Sequence, residues 1–264
     1  MNMQPTAKSM SKAYDEVFDR VLKDVGGWVP RQRPKMPKLV SCWPARGDRF
    51  TPGRSVLVVG RALNGFELEL EFSIEEVQSE TSRKGVAGRA RAFAECPNGG
   101  SPLSWVWGKW RPRYGSVGTR SAFWRVTRAL VRLVEGQEAA AAEDWASYVA
   151  WTNLAKVAPA RGGNPPPRLF EKQYAACIEA LRQELLELNP GIVLFIAGED
   201  LYLDAYNRLY KHEPSKRDGA KYVRHVSREA SQLWLCTERP ERRPETKFRD
   251  ELVAAYEEVS NDQS

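Results

Sequence analysis

The sequence predicts an α/β fold: a three-layer α/β/α arrangement around a central four-stranded parallel sheet. Three observations carry that expectation. Short runs rich in branched and aromatic residues recur along the chain, each bounded by turn-forming residues. Stretches with apolar residues at three- and four-residue spacing separate them, and β alternating with α requires crossover connections and a mainly parallel sheet covered on both faces. The chain of 264 residues, 42% hydrophobic with nine each of Trp, Tyr and Phe, is long enough to bury a large core.

In chain order, 12–25 reads as a leading helix. Residues 30–54 are rich in proline and arginine and are expected to wrap the surface, so that 1–53 forms a helix and wrapping segment ahead of a domain over 54–264. The first strand is 55–60 (SVLVVG). A long insertion follows at 66–118, far beyond the usual connection of about 2–6 residues; its end, 94–118, mixes Gly and Pro with three Trp and three basic residues. An amphipathic helix over 119–134 leads to the second strand, 148–154 (YVAWTNL). Residues 168–189 place Phe170, Tyr174, Cys177, Ile178, Leu181 and Leu185 at helical spacing, and Asn189-Pro190-Gly191 stops the helix. The third strand is 192–198 (IVLFIAG), followed by a helix over 200–210. The fourth is 232–237 (QLWLCT), and a last helix over 245–259 starts after Pro244.

The 40 Lys and Arg against 34 Asp and Glu give a net charge of +6, with basic clusters at 83–91, 109–113, 120–132 and 239–247 and a balanced or acidic stretch at 171–205. That asymmetry favours nucleic acid as a partner. Cys42, Cys96, Cys177 and Cys236 are far apart and form no CxxC pair, which argues against a zinc ribbon or redox motif and for buried free thiols. No stretch approaches the roughly 18 apolar residues of a membrane span, and the first residues are too polar for a signal peptide. A cytoplasmic monomer with no membrane partner is expected.

Ligands of such sheets bind at the carboxyl ends of the strands, and each strand here ends in something unusual: GRALNG (60–65), TNLAK (152–156), GED (198–200) and TERPERRP (237–244). One cleft is expected to gather all four. Phe66 and Glu67 stand where a triphosphate loop needs Lys and Ser/Thr, so that loop is excluded, and GxGxxG fails as well. Each motif has a plain reading of its own. Gly60 and Gly65 supply positive φ, Asn153 caps a strand end, Lys156 is solvated, and TERPERRP is a basic loop before a helix.

Taken together and in this order, the motifs resemble the uracil-DNA glycosylase superfamily, over about 56–248 and most clearly in WTNLAKVAPARGGNPPP, the helix with Cys177, NPGIVLFIAG and the terminal TERP. The family has a first motif G-x-(D/N/A)-P-(Y/G), an asparagine ending the second strand, a Pro-Lys/Gly-Ile/Val-Val run for the third, and an HP-containing loop after the fourth. The resemblance implies the fold of that superfamily and a glycosylase that extrudes a base from DNA and hydrolyses its N-glycosidic bond. It implies Asn153 as reader of a pyrimidine edge, with Gly60, Gly65 and Phe66 beside the base. Lys156, Arg161, Arg242 and Arg243 would face phosphates or enter the groove. Trp110, Arg111 and Arg113, with Trp105 and Trp107, would form a second contact surface or pack as a minor hydrophobic cluster.

Departures from the pattern matter as much. Arg239 stands where the family usually has histidine; it is a permanent cation, suited to stabilising a departing anionic base and unable to relay a proton. No aspartate occupies the water-activating position, where Ala62 or Leu63 falls, so Asn64 is the candidate to orient water, with Glu67 and Asp200 in reserve. His212 and His225 match no motif. The CxxC of the iron–sulfur members is missing and Val157 follows Lys156, so neither a cluster nor any other metal or cofactor is expected. No lysine is placed for a Schiff base, which points to a monofunctional enzyme. Strictly uracil-specific relatives set a bulky aromatic side chain where Gly65 stands, and the insertion offers Glu67, Glu69, Arg83 and Arg89 as polar walls. The expected substrate is therefore a cytosine modified at C5, hydroxymethylated or glucosylated as in some phage DNA, and the expected role antiviral defence. Three alternatives stay open: repair of uracil or a deaminated base, a non-catalytic DNA-binding protein that kept the fold, and another nucleoside or nucleotide hydrolase.

Overall fold

A computed structural model describes residues 10–28, 38–63, 70–95, 102–107, 120–241 and 243–261. Among them the order is α1 (Lys12–Gly26), β1 (Leu39–Ser41), β2 (Ala45–Arg46), β3 (Val56–Gly60), β4 (Glu71–Phe72), a 3-10 turn (Ile74–Val77), α2 (Glu80–Glu95) and α3 (Ser104–Trp107). Then come α4 (Ala122–Glu135), α5 (Gln137–Ala141), a 3-10 turn (Trp145–Tyr148), β5 (Val149–Asn153), β6 (Val157–Pro159), α6 (Pro167–Leu188) and β7 (Ile192–Ile196). The chain closes with α7 (Glu199–Tyr210), β8 (Ser215–Lys216), β9 (Val223–Glu229), β10 (Gln232–Thr237) and α8 (Glu245–Asn261). All four expected strands and all five expected helices are present, with no end moved by more than three residues.

The chain divides into two compact units. The first comprises Met1–Pro44, Gly60–Asn98 and Thr152–Glu187; the second comprises Ala45–Val59, Gly99–Trp151 and Leu188–Ser264. In the first unit, α1 is capped by Ser11, whose Oγ accepts the Tyr14 N–H at 3.4 Å, and it buries Tyr14, Val17, Phe18, Val21, Leu22 and Val25 along one face. A small antiparallel sheet of order β4-β1-β6 pairs Leu39 with both Phe72 and Pro159. The stretch 39–46 was expected to wrap the surface, but Leu39 and Val40 are fully buried and β2 pairs with β5. The run from Leu39 to Ala45 is apolar or small throughout and buried at every position, and that burial outweighs the prolines in and around it. The described part of the insertion is regular over much of its length: Ser73 and Glu76 close a capping box, and α2 buries Arg83, Val86, Ala90 and Ala94 on one side.

The second unit is built on a mixed α/β sheet of seven strands, mostly parallel, in the order β2-β5-β3-β7-β10-β9-β8. The four expected strands are adjacent at its centre and fully or nearly fully buried, as continuous apolar runs require. β7 and β10 run parallel with Trp234 opposite Val193, whereas β9 adds antiparallel to β10 and β8 to β9. The winding leaves β3 for β5 on one side and returns for β7 on the other, which puts the topological switch between β3 and β7. Gly191 enters β7 where a Cβ would stand 2.6 Å from the carbonyl oxygens of Gly53 and Arg54, so only glycine fits. Among the described residues, no helix is long and apolar enough to cross a membrane.

Candidate functional site

The last residues of β3 and β5 belong to the first unit, and backbone hydrogen bonds lace them together. The Leu154 N–H donates to the Gly60 carbonyl at 2.8 Å and the Ala155 N–H to that of Arg61 at 2.9 Å. The beginning of GRALNG and the TNLAK turn are therefore one structural feature. Asn153 is 2% exposed, and its Nδ2 donates to the Cys42 Sγ at 3.3 Å. Cys42 is held in turn by its own N–H, which donates to the Lys156 carbonyl at 2.7 Å. Burial pushes the Cys42 thiol up to about 11, against the opposing pull of Lys156 and the Asn153 amide, so at neutral pH it is a weak, uncharged acceptor. A sulfur is a poor partner for an amide donor.

Lys156 overturns its expected role. It was placed at the rim facing phosphates, yet its side chain is fully buried and its Nζ donates to Glu184 Oε1 at 2.6 Å, Thr152 Oγ1 at 2.7 Å and the Asn153 carbonyl at 2.8 Å. Tyr14 donates to the same Glu184 oxygen at 2.6 Å, and its hydroxyl is pushed well above its ordinary pKa by burial and by the neighbouring carboxylate. The physical reason lies on α6, where Leu169, Gln173, Cys177, Ala180, Leu181 and Glu184 line the buried face. A carboxylate there demands a cation, and Lys156 on the facing turn supplies it. Arg161 is exposed on the turn after β6, beside Gly162 and Gly163, both at positive φ.

Two further polar groups of the insertion are structural. Arg83 is 9% exposed and pairs with Asp19 at 2.7 Å while its Nη1 donates to the carbonyls of Val77 and Gln78; Arg89 pairs with Glu76 at 2.9 Å. Neither is spent on a ligand wall. Trp105 packs in a hydrophobic cluster. It is 7% exposed and packs edge-on against Trp124 and Trp151, with ring centroids 5.4 and 5.2 Å away.

In the second unit the ends of β7, β9 and β10 carry a chain of charges that sequence reasoning missed. Gly198, at φ 100°, caps the start of α7, and Glu199 in its first turn accepts from Arg224 Nη1 at 2.5 Å and lies 2.8 Å from His225 Nε2. The His225 hydrogen bond and then Arg224 hold the Glu199 carboxyl below its ordinary range, against its partial burial. Arg224 also reaches Glu238 at 3.2 Å, whose carboxylate lies 4.0 Å from Arg243. His225 is 4% exposed, and among the described residues its buried Nδ1 has no hydrogen-bond partner. Asp200, the reserve candidate, is exposed beside the residue that makes these contacts. The signal in the sequence was the pair of carboxylates in GED behind a strand-ending glycine; β9, which holds Arg224 and His225, went unrecognised.

Arg239 is exposed on the loop after β10 and pairs with Glu241 at 3.4 Å. It belongs to the second unit, as do Arg243 and Asp200, whereas Gly60, Asn153, Lys156 and Arg161 belong to the first. Asn64, Gly65, Phe66, Glu67, Glu69, Trp110, Arg111, Arg113 and Arg242 lie outside the described residues. Cys42, Cys177 and Cys236 are buried free thiols, and among the described residues no group of three or more His, Cys, Asp or Glu is arranged to hold a metal ion. Compared with protein-family models and with curated proteins, the chain matches none of them.

Proposed function

We propose that this chain is a monofunctional DNA glycosylase with a fold of the uracil-DNA glycosylase kind, acting on a flipped-out pyrimidine. The observation that supports the reading is the backbone bond from Leu154 to Gly60, which ties the glycine of the first motif to the residue next to the buried Asn153. In the proposed reaction Asn153 holds the base by its Watson–Crick edge. The bond from C1′ to the base nitrogen breaks with its electrons going to the base, and Arg239 offsets the charge of the departing anion. A water oriented by Asn64 then adds its oxygen to the electrophilic C1′, and its proton leaves to solvent or base. In the free protein Arg239 makes a half-exposed pair with Glu241 at 3.4 Å, a contact weak enough to give way to a charged ligand.

The substrate class follows from the glycine at position 65: a base with a bulky C5 group, hydroxymethylated or glucosylated cytosine, whose removal would leave abasic sites in phage DNA. The decisive experiment compares abasic-site formation on matched DNAs containing uracil, cytosine, hydroxymethylcytosine and glucosylated hydroxymethylcytosine. Release from the modified cytosines and loss of that release in Asn153→Ala is the expected result. Release of uracil alone would make the protein a repair enzyme, and binding without any release would leave a DNA-binding protein that kept the fold.

A further inference from the structure

Two basic clusters that are far apart in sequence, 120–132 and the start of the last helix, meet in the second unit. α4 and α8 pack side by side with α5 at one end, and between them runs an open groove of 790 Å³. One wall carries Arg125, Arg128 and Arg132 at spacing i, i+3, i+7, on a single face of α4; the other carries Arg249. The floor is apolar, formed by residues such as Ala129, Leu133 and Val253. Four arginines against Glu245 and Asp250 leave the lining net positive.

The arginines differ in what they have to give. Arg125 is bound to Glu245 at 2.7 Å and to the Arg120 carbonyl, so it closes one end of the groove. Arg128 is fixed without losing its charge: its Nε donates to the Ala140 carbonyl at 2.6 Å and its guanidinium lies 5.9 Å over the Trp145 ring. Arg132 and Arg249 are exposed, and the contact of Arg249 with Glu245 is 4.0 Å. Among the described residues no carboxylate pairs with Arg128 or Arg132.

We propose that the groove between α4 and α8 is an accessory nucleic-acid site that takes the phosphate backbone of one DNA strand, with sugar or base faces on its apolar floor. The line from Arg125 to Arg132 spans about 10 Å of helix axis, a repeating array of charge rather than a point site for one small anion. Arginine forks match phosphate oxygens bidentately, and no lysine shares the lining. The groove's Arg125 end adjoins the N-terminus of α8, directly after the loop that carries Arg239. An acidic peptide has the same sign of charge but no regular spacing to match the array, and it is the competitor the test must reject. The inference rests on the reading of this chain as a DNA-acting protein.

The test is the salt dependence of binding to a short single-stranded oligonucleotide and to the matching duplex, with an acidic peptide as a third ligand. Each phosphate contact adds about 0.9 to the slope of log K against log salt on duplex, about 0.7 on a single strand. Arg132→Gln with Arg249→Gln should therefore flatten the slope by about 1.4 to 1.8. The charge reversal Arg132→Glu with Arg249→Glu should weaken binding at least about tenfold at low salt. Both positions are exposed, so thermal unfolding should stay near that of the unaltered protein. Lys12→Glu with Lys216→Glu makes the same change in net charge elsewhere and should leave the slope unchanged. Equal weakening by both reversals, an unchanged slope in the glutamine variant, or a groove-dependent affinity for the acidic peptide in place of DNA would each overturn the proposal. Unaltered protein that binds no DNA at all would instead overturn the reading beneath it.

Discussion

Replacing Lys156 by methionine separates its two possible roles. At 2.6 Å the Lys156–Glu184 pair is worth about 6 kcal/mol of Coulomb attraction at an effective dielectric near 20. Desolvation of two buried ions, several kcal/mol each, offsets most of that, so the pair as a whole is near neutral against an apolar replacement. Removing the cation alone is different, because it leaves the Glu184 carboxylate buried with only the Tyr14 hydroxyl for company. The expected cost of Lys156→Met is about 3–5 kcal/mol, which for a chain of this size lowers the melting temperature by about 6–20 °C.

Urea and thermal denaturation measure that cost, and a cycle with Glu184→Leu isolates the coupling. Lys156→Met with Glu184→Leu should recover most of the loss, short of about 1–3 kcal/mol for the stranded Tyr14 hydroxyl; adding Tyr14→Phe should recover that too. If Lys156→Met melts with the unaltered protein and flattens the salt slope of DNA binding by about 0.9, the lysine is a phosphate contact after all and the buried pair is refuted.

Other outcomes follow from the same contacts. Arg239→Ala should lose at least about a hundredfold in base release while still shifting DNA in a gel, and full activity would remove it from the mechanism. Trp105→Ala should cost about 3–5 kcal/mol as a core truncation with the DNA salt slope unchanged, which a base-stacking tryptophan would not do. Burial holds the Cys42 and Cys177 thiols at about 11 and about 12. These are acids raised above their unfolded values, so their contribution to stability is complete below about pH 8.5 and is lost as pH rises toward the folded values. At pH 8 peptide mapping after alkylation should find Cys42, Cys177 and Cys236 protected until the protein unfolds.

What the sequence made legible was whatever depends on local pattern. The four central strands are unbroken apolar runs, and α6 keeps its buried face through 22 residues, so both stand out without any knowledge of the fold. β9 did not, because VRHVSRE has its polar residues interleaved and is only half buried; its strand character comes from pairing with β10. α2 was hidden by two glycines and a narrow stripe of Arg83, Val86, Ala90 and Ala94, apolar enough to pack but too small to register as a period. For the site the limit is of another kind. Lysine at a strand end fits a phosphate contact and a buried counter-ion equally well, and the residue that decides between them, Glu184, stands 28 positions away on the inner face of a helix.

That decision gives the asparagine and lysine of TNLAK a joint meaning. The Lys156 ammonium donates to the carbonyl of Asn153 and to the hydroxyl of Thr152, so the cation holds the peptide unit that carries the proposed base reader and ties it, through Glu184, to α6. In the proposed reaction the lysine would act from inside the protein, as a positioning residue. A displacement of about 1 Å in a reacting group costs on the order of a hundredfold in rate. At a temperature where Lys156→Met is fully folded, its DNA affinity and salt slope should match those of the unaltered protein while base release falls steeply. Residues acting as one unit are non-additive, so Lys156→Met combined with Asn153→Ala should be no slower than Asn153→Ala alone. Single-turnover base release on the four variants of that square measures this directly. If the two losses multiply, the lysine acts independently of the asparagine; if Lys156→Met releases base at the full rate, the turn keeps its geometry without it, and the link from buried pair to chemistry is broken.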